Sequence, residues 1–217
     1  MKDSRKTEKP LAKCSPDTKE SHFSIVTGDE KWIYFENPKR KRSWVTPREP
    51  STSTARPNRY GRKTILCVWW DQKSVIYYEL LKSGETVNTE HYRQQMINLN
   101  QALYEKRPEY QKWQHKVILL HDNTSSHTTK LVKETIEALF GKYFHMRLTH
   151  QTWLRPIITY LHRWDTHLLS SFTSYQDVRK WLDDWFDSKE QQFFWRGIHK
   201  LSNMWKKCIA TDGQYFK

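Results

Sequence analysis

The sequence predicts an α/β domain built on a mixed sheet of three antiparallel strands, a crossover helix and a parallel fourth strand, flanked by helices. Three observations predict it. Apolar runs of strand length, rich in β-branched and aromatic residues, occupy residues 23–36, 64–70, 74–81 and 116–120. Between the third and fourth runs the period becomes helical, with Tyr92, Met96, Leu99 and Leu103 on one face of residues 89–106. The first run carries Asp29, and the fourth delivers Asp122 just beyond its end. Strand, strand, strand, helix, strand, helix is the order of a ribonuclease-H-like core. In that order the fourth strand lies parallel to the first and is reached through one crossover, which would bring Asp29 beside Asp122.

Residues 1–21 are polar and without period, and read as a disordered lead-in to a domain over 22–217. The first strand is broken by Asn37-Pro38 and the charge run Lys39, Arg40, Lys41, Arg42. From Trp44 to Asn58 the chain holds Pro47, Pro50 and Pro57, too many for a helix. It reads as a long loop of the kind that has a task. Arg59, Arg62 and Lys63 add charge at its end. Asp71-Gln72-Lys73 is a short turn between the second and third strands, and Arg107-Pro108 ends the first helix. The next helix, 129–140, carries Val132, Ile136, Leu139 and Phe140, and Gly141 stops it. Near the end, Ser174 with Asp177, and Ser188 with Gln191, have capping-box spacing ahead of two helices. Their apolar faces hold Tyr175, Val178, Trp181, Leu182 and Trp185, then Phe194, Ile198 and Leu201.

Lys and Arg number 37 against 24 acids, a formal charge of +13. A polyanion is the expected partner, with nucleic acid ahead of a membrane surface; the plain alternative is a soluble basic protein. Eleven Trp and eleven Tyr argue against overall disorder. Cys14, Cys67 and Cys208 are too scattered for a zinc finger. No apolar run is long enough to span a bilayer, and Lys39 to Arg42 would suit nuclear import, so the nucleus is the expected location.

Several segments together resemble one family. Val26-Thr-Gly-Asp29-Glu-Lys-Trp32, Asn37-Pro-Lys-Arg40, Pro50-Ser-Thr-Ser-Thr-Ala-Arg-Pro-Asn58, Leu66-Cys-Val-Trp-Trp-Asp-Gln72 and His121-Asp122-Asn123 with His127 stand in the order of the mariner transposases. So does Ala210-Thr-Asp-Gly-Gln-Tyr-Phe216 at the end. The resemblance covers about residues 25–140 and 172–217. It implies a DDE/D recombinase domain that cuts transposon ends and joins them to target DNA, an endonuclease and strand-transfer activity. It implies three carboxylates holding magnesium or manganese, with Asp29 as the first and Asp122 as the second. Asn123 and His127 take supporting roles, and the loop from Trp44 to Asn58 resembles the clamp that reaches the other subunit of a homodimer. Lys39, Arg40, Lys41, Arg42, Arg59, Arg62 and Lys63 are the expected DNA phosphate contacts. The family's paired helix-turn-helix units precede the catalytic domain, so this sequence reads as N-terminally truncated.

The third carboxylate is where the sequence departs. The family places it thirty-five positions beyond the second, within Ser-Pro-Asp-x-Ala-Pro-Ser-Asp-Tyr-His-Leu-Phe, and position 157 is Ile. Residues 141–171 match nothing in the family, yet the pattern resumes at Phe172 with almost no change in length. A pair of compensating indels accounts for this. Leu-Ala-Pro-Ser-Asp-Tyr-His can be encoded so that reading one base later gives Trp-Leu-Arg-Pro-Ile-Ile, and Trp153-Leu-Arg-Pro-Ile-Ile158 stands there. Metal binding is therefore expected to be weakened and the enzyme inactive. The alternatives are a non-enzymatic DNA-binding remnant and a non-functional pseudogene product. Sequencing the gene checks the frame argument: an adjacent frame across codons 141–171 should restore the family segment, and failure of both adjacent frames to do so removes it.

Overall fold

The apolar runs become strands because each has a covered face to fill. The structure, a computed structural model, describes residues 24–35, 62–113, 117–122, 124–140, 143–145 and 172–210. Its elements are β1 (Ser24–Tyr34), β2 (Lys63–Trp70), β3 (Val75–Leu80), α1 (Thr89–Lys106), a 3₁₀ turn (Pro108–Trp113), β4 (Val117–His121), α2 (Lys130–Phe140), β5 (Tyr143–His145), α3 (Tyr175–Asp187) and α4 (Gln191–Ala210). The five strands form one sheet in the order β3-β2-β1-β4-β5. β1 with β2, and β2 with β3, are antiparallel; β4 runs parallel to β1. This is the predicted mixed sheet. The short strand β5, parallel to β4, lies within the segment that the sequence left without an assignment.

Alternation divides the core in two. Val26, Ile65, Cys67, Trp69, Val117 and Leu119 face α1 and α2, where Met96, Leu99, Leu103, Val132, Ile136 and Phe140 meet them. Ile33, Leu66, Val68, Trp70, Ile118 and Leu120 face α3 and α4, against Val178, Leu182, Trp185, Phe194 and Ile198. Both faces of β2 and β4 are thus covered, which is why these strands read as unbroken apolar runs. Trp69 and Trp70 point to opposite sides, and each is met by a glycine. A Cβ at Gly28 of β1 would stand 2.3 Å from Trp69 Cδ1, and one at Gly197 of α4 would stand 2.5 Å from Trp70 Cη2. The two indoles need these bare backbones to lie flat on the sheet and the helix.

The helix ends follow local chemistry. Asn88 caps α1 by accepting from His91 N at 2.8 Å. Ser174 and Asp177 form the predicted capping box on α3. The second expected box is not there. Ser188 instead closes α3, its N–H donating to Asp184 O at 3.1 Å and its hydroxyl to Trp185 O at 2.7 Å, and α4 begins at Gln191. A Ser followed by Gln at that spacing serves equally well as the last residue of the preceding helix.

A buried ion pair fastens the β2–β3 turn to the end of α1. Arg107 Nε and Nη2 donate to the two Asp71 carboxylate oxygens at 2.8 and 3.0 Å, and Nη2 also reaches Ser74 Oγ at 2.8 Å. Asp71 additionally accepts from the backbone N–H groups of Lys73 and Ser74, at 2.7 and 2.9 Å. This pair is bidentate and its acid fully satisfied, the condition under which a buried charge is tolerated. Arg107→Ala should cost about 3–5 kcal/mol, because the buried Asp71 carboxylate loses its partner. Urea denaturation checks this, and Asp71→Asn added to Arg107→Ala should recover part of the loss.

Candidate functional site

The parallel pairing of β1 and β4 sets the site. Ser24 opposes Val117 and the register runs to Thr27 against Leu120. Two residues further along each chain are Asp29 and Asp122, so continuing the same register sets the two aspartates side by side. β1 continues as a strand through Tyr34, whereas β4 stops at His121. Asp122 is therefore the first residue beyond its strand, at the carboxyl edge of the parallel pair, where α/β sheets bind their ligands.

The two acids have opposite surroundings. Asp29 accepts a hydrogen bond from the adjacent Glu30 N–H at 2.9 Å. Burial and the negative charges of Glu30 and Asp122 raise its carboxyl to about 7, against the Glu30 N–H and His127, which lower it. Asp122 is held by its own loop. Thr124 donates to it through N–H, at 3.3 Å, and through its hydroxyl, and His127 Nδ1 lies 2.5 Å from Oδ1. Burial works against ionisation of Asp122, but these bonds outweigh it and its pKa falls below the ordinary carboxylate value.

His127 completes the cluster. Its side chain is 3 % exposed, with Nδ1 on Asp122 and Nε2 3.2 Å from Glu30 Oε1. Burial opposes the imidazolium, yet the hydrogen bonds to Asp122 and Glu30 and their charges prevail and raise its pKa to about 9. Tyr92 of α1 stacks on the imidazole, with ring centroids 3.6 Å apart and planes 19° apart. The cap of α2 is Thr129, whose hydroxyl accepts from Val132 N at 3.4 Å. One donor atom each from Glu30, Asp122 and His127 lies within 4.8 Å of the others, a grouping able to hold a metal ion.

A family model described as Transposase (partial DDE domain) matches residues 34–113. The Mariner Mos1 transposase of Drosophila mauritiana is 58% identical over 198 residues, covering 89% of this chain and 56% of that protein. The crystal structure of the catalytic domain of Mos1 mariner transposase superimposes with a TM-score of 0.75 at 47% identity, over 97% of this chain and 91% of that one. The chain belongs to the mariner transposase family. Two Mos1 paired-end complexes also superimpose, one with Mn (TM-score 0.79, 57% identity, 89% of this chain and 56% of that one) and one with Mg (0.78, 56%, 89% and 57%). The human histone-lysine N-methyltransferase SETMAR is 29% identical over 198 residues, covering 88% of this chain and 28% of that protein. The chain thus spans about half of the Mos1 protein and a smaller part of SETMAR.

Within this mariner domain the structure brings Asp29, Asp122 and His127 to one edge. Arg62 and Lys63 sit apart from them. Tyr34 pairs with Lys63, and the five residue steps of strand from Asp29 to Tyr34 span about 17 Å. Arg62 lies over the Phe35 ring at 4.9 Å and Lys63 over the Trp32 ring at 4.1 Å, so these cations rest on aromatic faces at the far end of β1. Lys39, Arg40, Lys41, Arg42, Arg59, Asn123, Ile157 and the loop over 44–58 lie outside the described residues. Sequence reasoning missed Glu30 and Tyr92. Glu30 follows Asp29 and points to the other face, which argues against a shared site until His127 is seen to link Glu30 to Asp122.

A raised carboxyl pKa has a stability consequence of definite sign. Between the unfolded value of 3.8 and the folded value of about 7, the folded chain binds more protons, so stability falls as pH rises and the cost is complete above pH 7. In chelator-containing buffer, Asp29→Asn should therefore raise stability at pH 8, by at most about 4 kcal/mol, and leave it unchanged near pH 4. Thermal melts at the two pH values check this.

Proposed function

We propose that this chain is the catalytic domain of a mariner-type DNA transposase whose metal-dependent cleavage and strand transfer are lost, because the third carboxylate position holds Ile157. The observation that supports the ancestral reaction is the β1–β4 register, which leads Asp29 and Asp122 to one edge of the sheet. The donor set fits a divalent cation in part. Asp29 is a carboxylate whose ionisation is suppressed by its surroundings, the condition that a cation relieves, and Asp122 is already ionised beside it. The Mos1 complexes with Mn and Mg support the same class of cation here, bound more weakly for want of a third acid. A divalent metal pair, when bound, activates the attacking oxygen and stabilises the leaving one.

The chain's own residues supply the remaining work. His127 fixes the orientation of Asp122 by holding Oδ1, and Thr124 fixes the second oxygen. Arg62 and Lys63, with Lys39, Arg40, Lys41, Arg42 and Arg59, meet DNA phosphates and give salt-sensitive affinity without sequence preference. The loop from Trp44 to Asn58 serves a homodimer contact, and the protein acts in the nucleus. DNA binding without cleavage, the remnant function, is favoured by the net charge of +13.

A nicking assay on pre-cut transposon ends with magnesium or manganese tests the reading. The native chain should bind the DNA in a salt-dependent way and leave it uncut, whereas a chain with residues 141–171 restored to the family reading frame should cut it. Cleavage by the native chain that disappears in Asp29→Ala would overturn the claim of inactivity.

A further inference from the structure

Asp122 is the first residue beyond β4, so the ladder that fixes its strand ends before it. Among the described residues, its hydrogen bonds come from Thr124, through N–H and hydroxyl, and from His127 Nδ1. His127 is tied to the same turn, its backbone N–H donating to Thr124 O at 2.9 Å. All these contacts lie within one turn. They shape it around Asp122 but do not fix where it stands over the sheet.

Glu30 makes that connection. The pleat sends Glu30 to the opposite face from Asp29, where it pairs with Cys67 on the side that α1 and α2 cover. There Glu30 Oε1 lies 3.2 Å from His127 Nε2, while His127 Nδ1 lies 2.5 Å from Asp122 Oδ1. Each ring nitrogen is committed to a different carboxylate, so the imidazole is a doubly protonated bridge. It cannot turn in its plane without breaking one of the two bonds. Tyr92 holds the plane itself, stacked on the ring at 3.6 Å and 19°.

Residue 30 also reaches the other aspartate. Its backbone N–H donates to Asp29 Oδ1 at 2.9 Å. One residue therefore touches both expected cation ligands, Asp29 through its main chain and Asp122 through its side chain and an imidazole. The side chains of Glu30 and Asp122 are 22 % and 18 % exposed, whereas that of His127 is 3 % exposed. Both acids border water, and the buried ring that both touch holds them in place. Loss of the Glu30 carboxylate would leave the buried Nε2–H without an acceptor, a cost that turning the ring relieves at the expense of the bond to Asp122.

We propose that Glu30 is a positioning residue for the Asp29–Asp122 pair: through His127 it anchors the turn that carries Asp122 to the strand that carries Asp29. Glu30 is not itself a ligand. It sets the separation and orientation of the two carboxylates, and partners that orient a ligating carboxylate in this way typically govern metal affinity by about ten- to a hundredfold. This role rests on the preceding reading in one respect, that Asp29 and Asp122 are the ligands. The chain of contacts from Glu30 to Asp122 needs no metal to exist.

The experiment is manganese titration of the full chain, read by the electron paramagnetic resonance of the unbound ion. Glu30→Ala, Glu30→Asp and Glu30→Gln are compared with the native chain. Glu30→Ala removes the anchor, and Glu30→Asp keeps the charge but falls short of Nε2, so each should weaken binding about tenfold or more. Glu30→Gln removes the charge but keeps an oxygen for Nε2–H, and should retain most of the native affinity. Weakening in Glu30→Gln with native affinity in Glu30→Asp makes Glu30 an attracting charge and overturns the positioning role, as does native affinity in Glu30→Ala. Nuclear magnetic resonance of the imidazole N–H protons in chelator-containing buffer gives a readout without metal. The Nδ1–H proton held by Asp122, assigned as the signal that shifts in Asp122→Asn, should be sharp in the native chain and in Glu30→Gln, and lost to exchange in Glu30→Ala. A signal that stays sharp in Glu30→Ala overturns the role. Absence of manganese binding by the native chain bears only on the preceding reading, and the N–H spectrum then still decides the role of Glu30, so the two can fail separately.

Discussion

The parallel pairing of β1 with β4 is the contact on which the rest of the molecule depends. It joins the antiparallel hairpin side of the sheet to the part delivered by the α1 crossover. It sets buried Val26 beside Leu119 and half-buried Ile25 beside Ile118, so that both helical layers have a sheet to cover. It also fixes which residues share the carboxyl edge. A slip of one residue would turn every side chain of β4 to the wrong face, separating Asp122 from Asp29 and His127 together. Stability and site geometry are thus set by the same register.

The electrostatics of that edge are under tension. Four ionisable groups, Asp29, Glu30, Asp122 and His127, meet where burial disfavours charge. The chain resolves part of this internally: the His127 imidazolium touches both Asp122 and Glu30, and its contact with Asp122 favours the ionised form of that acid. Asp29 receives only one backbone N–H and is left with a suppressed ionisation. Such a carboxylate weakens the fold above neutral pH and is suited to a cation for the same reason. The Asp71–Arg107 pair at the other end of the sheet is the contrast, since there every oxygen is matched and the purpose is attachment.

Much of the fold was legible because apolar period and strand order carry it. The stripe Tyr92, Met96, Leu99 and Leu103 is the buried face of α1, and the Ser174–Asp177 box caps α3. Ser188 misled because one Ser can end a helix or begin one, and spacing does not distinguish the two. Strand β5 was missed because Tyr143–His145 has three residues and no alternation to read. At the site, Asp29 and Asp122 were legible from strand positions and family motif together. Glu30 was not, because alternation argues against it locally. Its link to Asp122 runs through His127, a contact between residues ninety-seven positions apart that no local pattern encodes.

The β1–β4 register implies that Asp29 and Asp122 share one cation. Anomalous diffraction from crystals grown with manganese measures this most directly. A shared cation gives a manganese peak within bonding distance of carboxylate oxygens of both Asp29 and Asp122, at the end of β4. A saturated crystal whose manganese peaks all lie away from Asp122, or touch Asp122 with Asp29 turned aside, would contradict it.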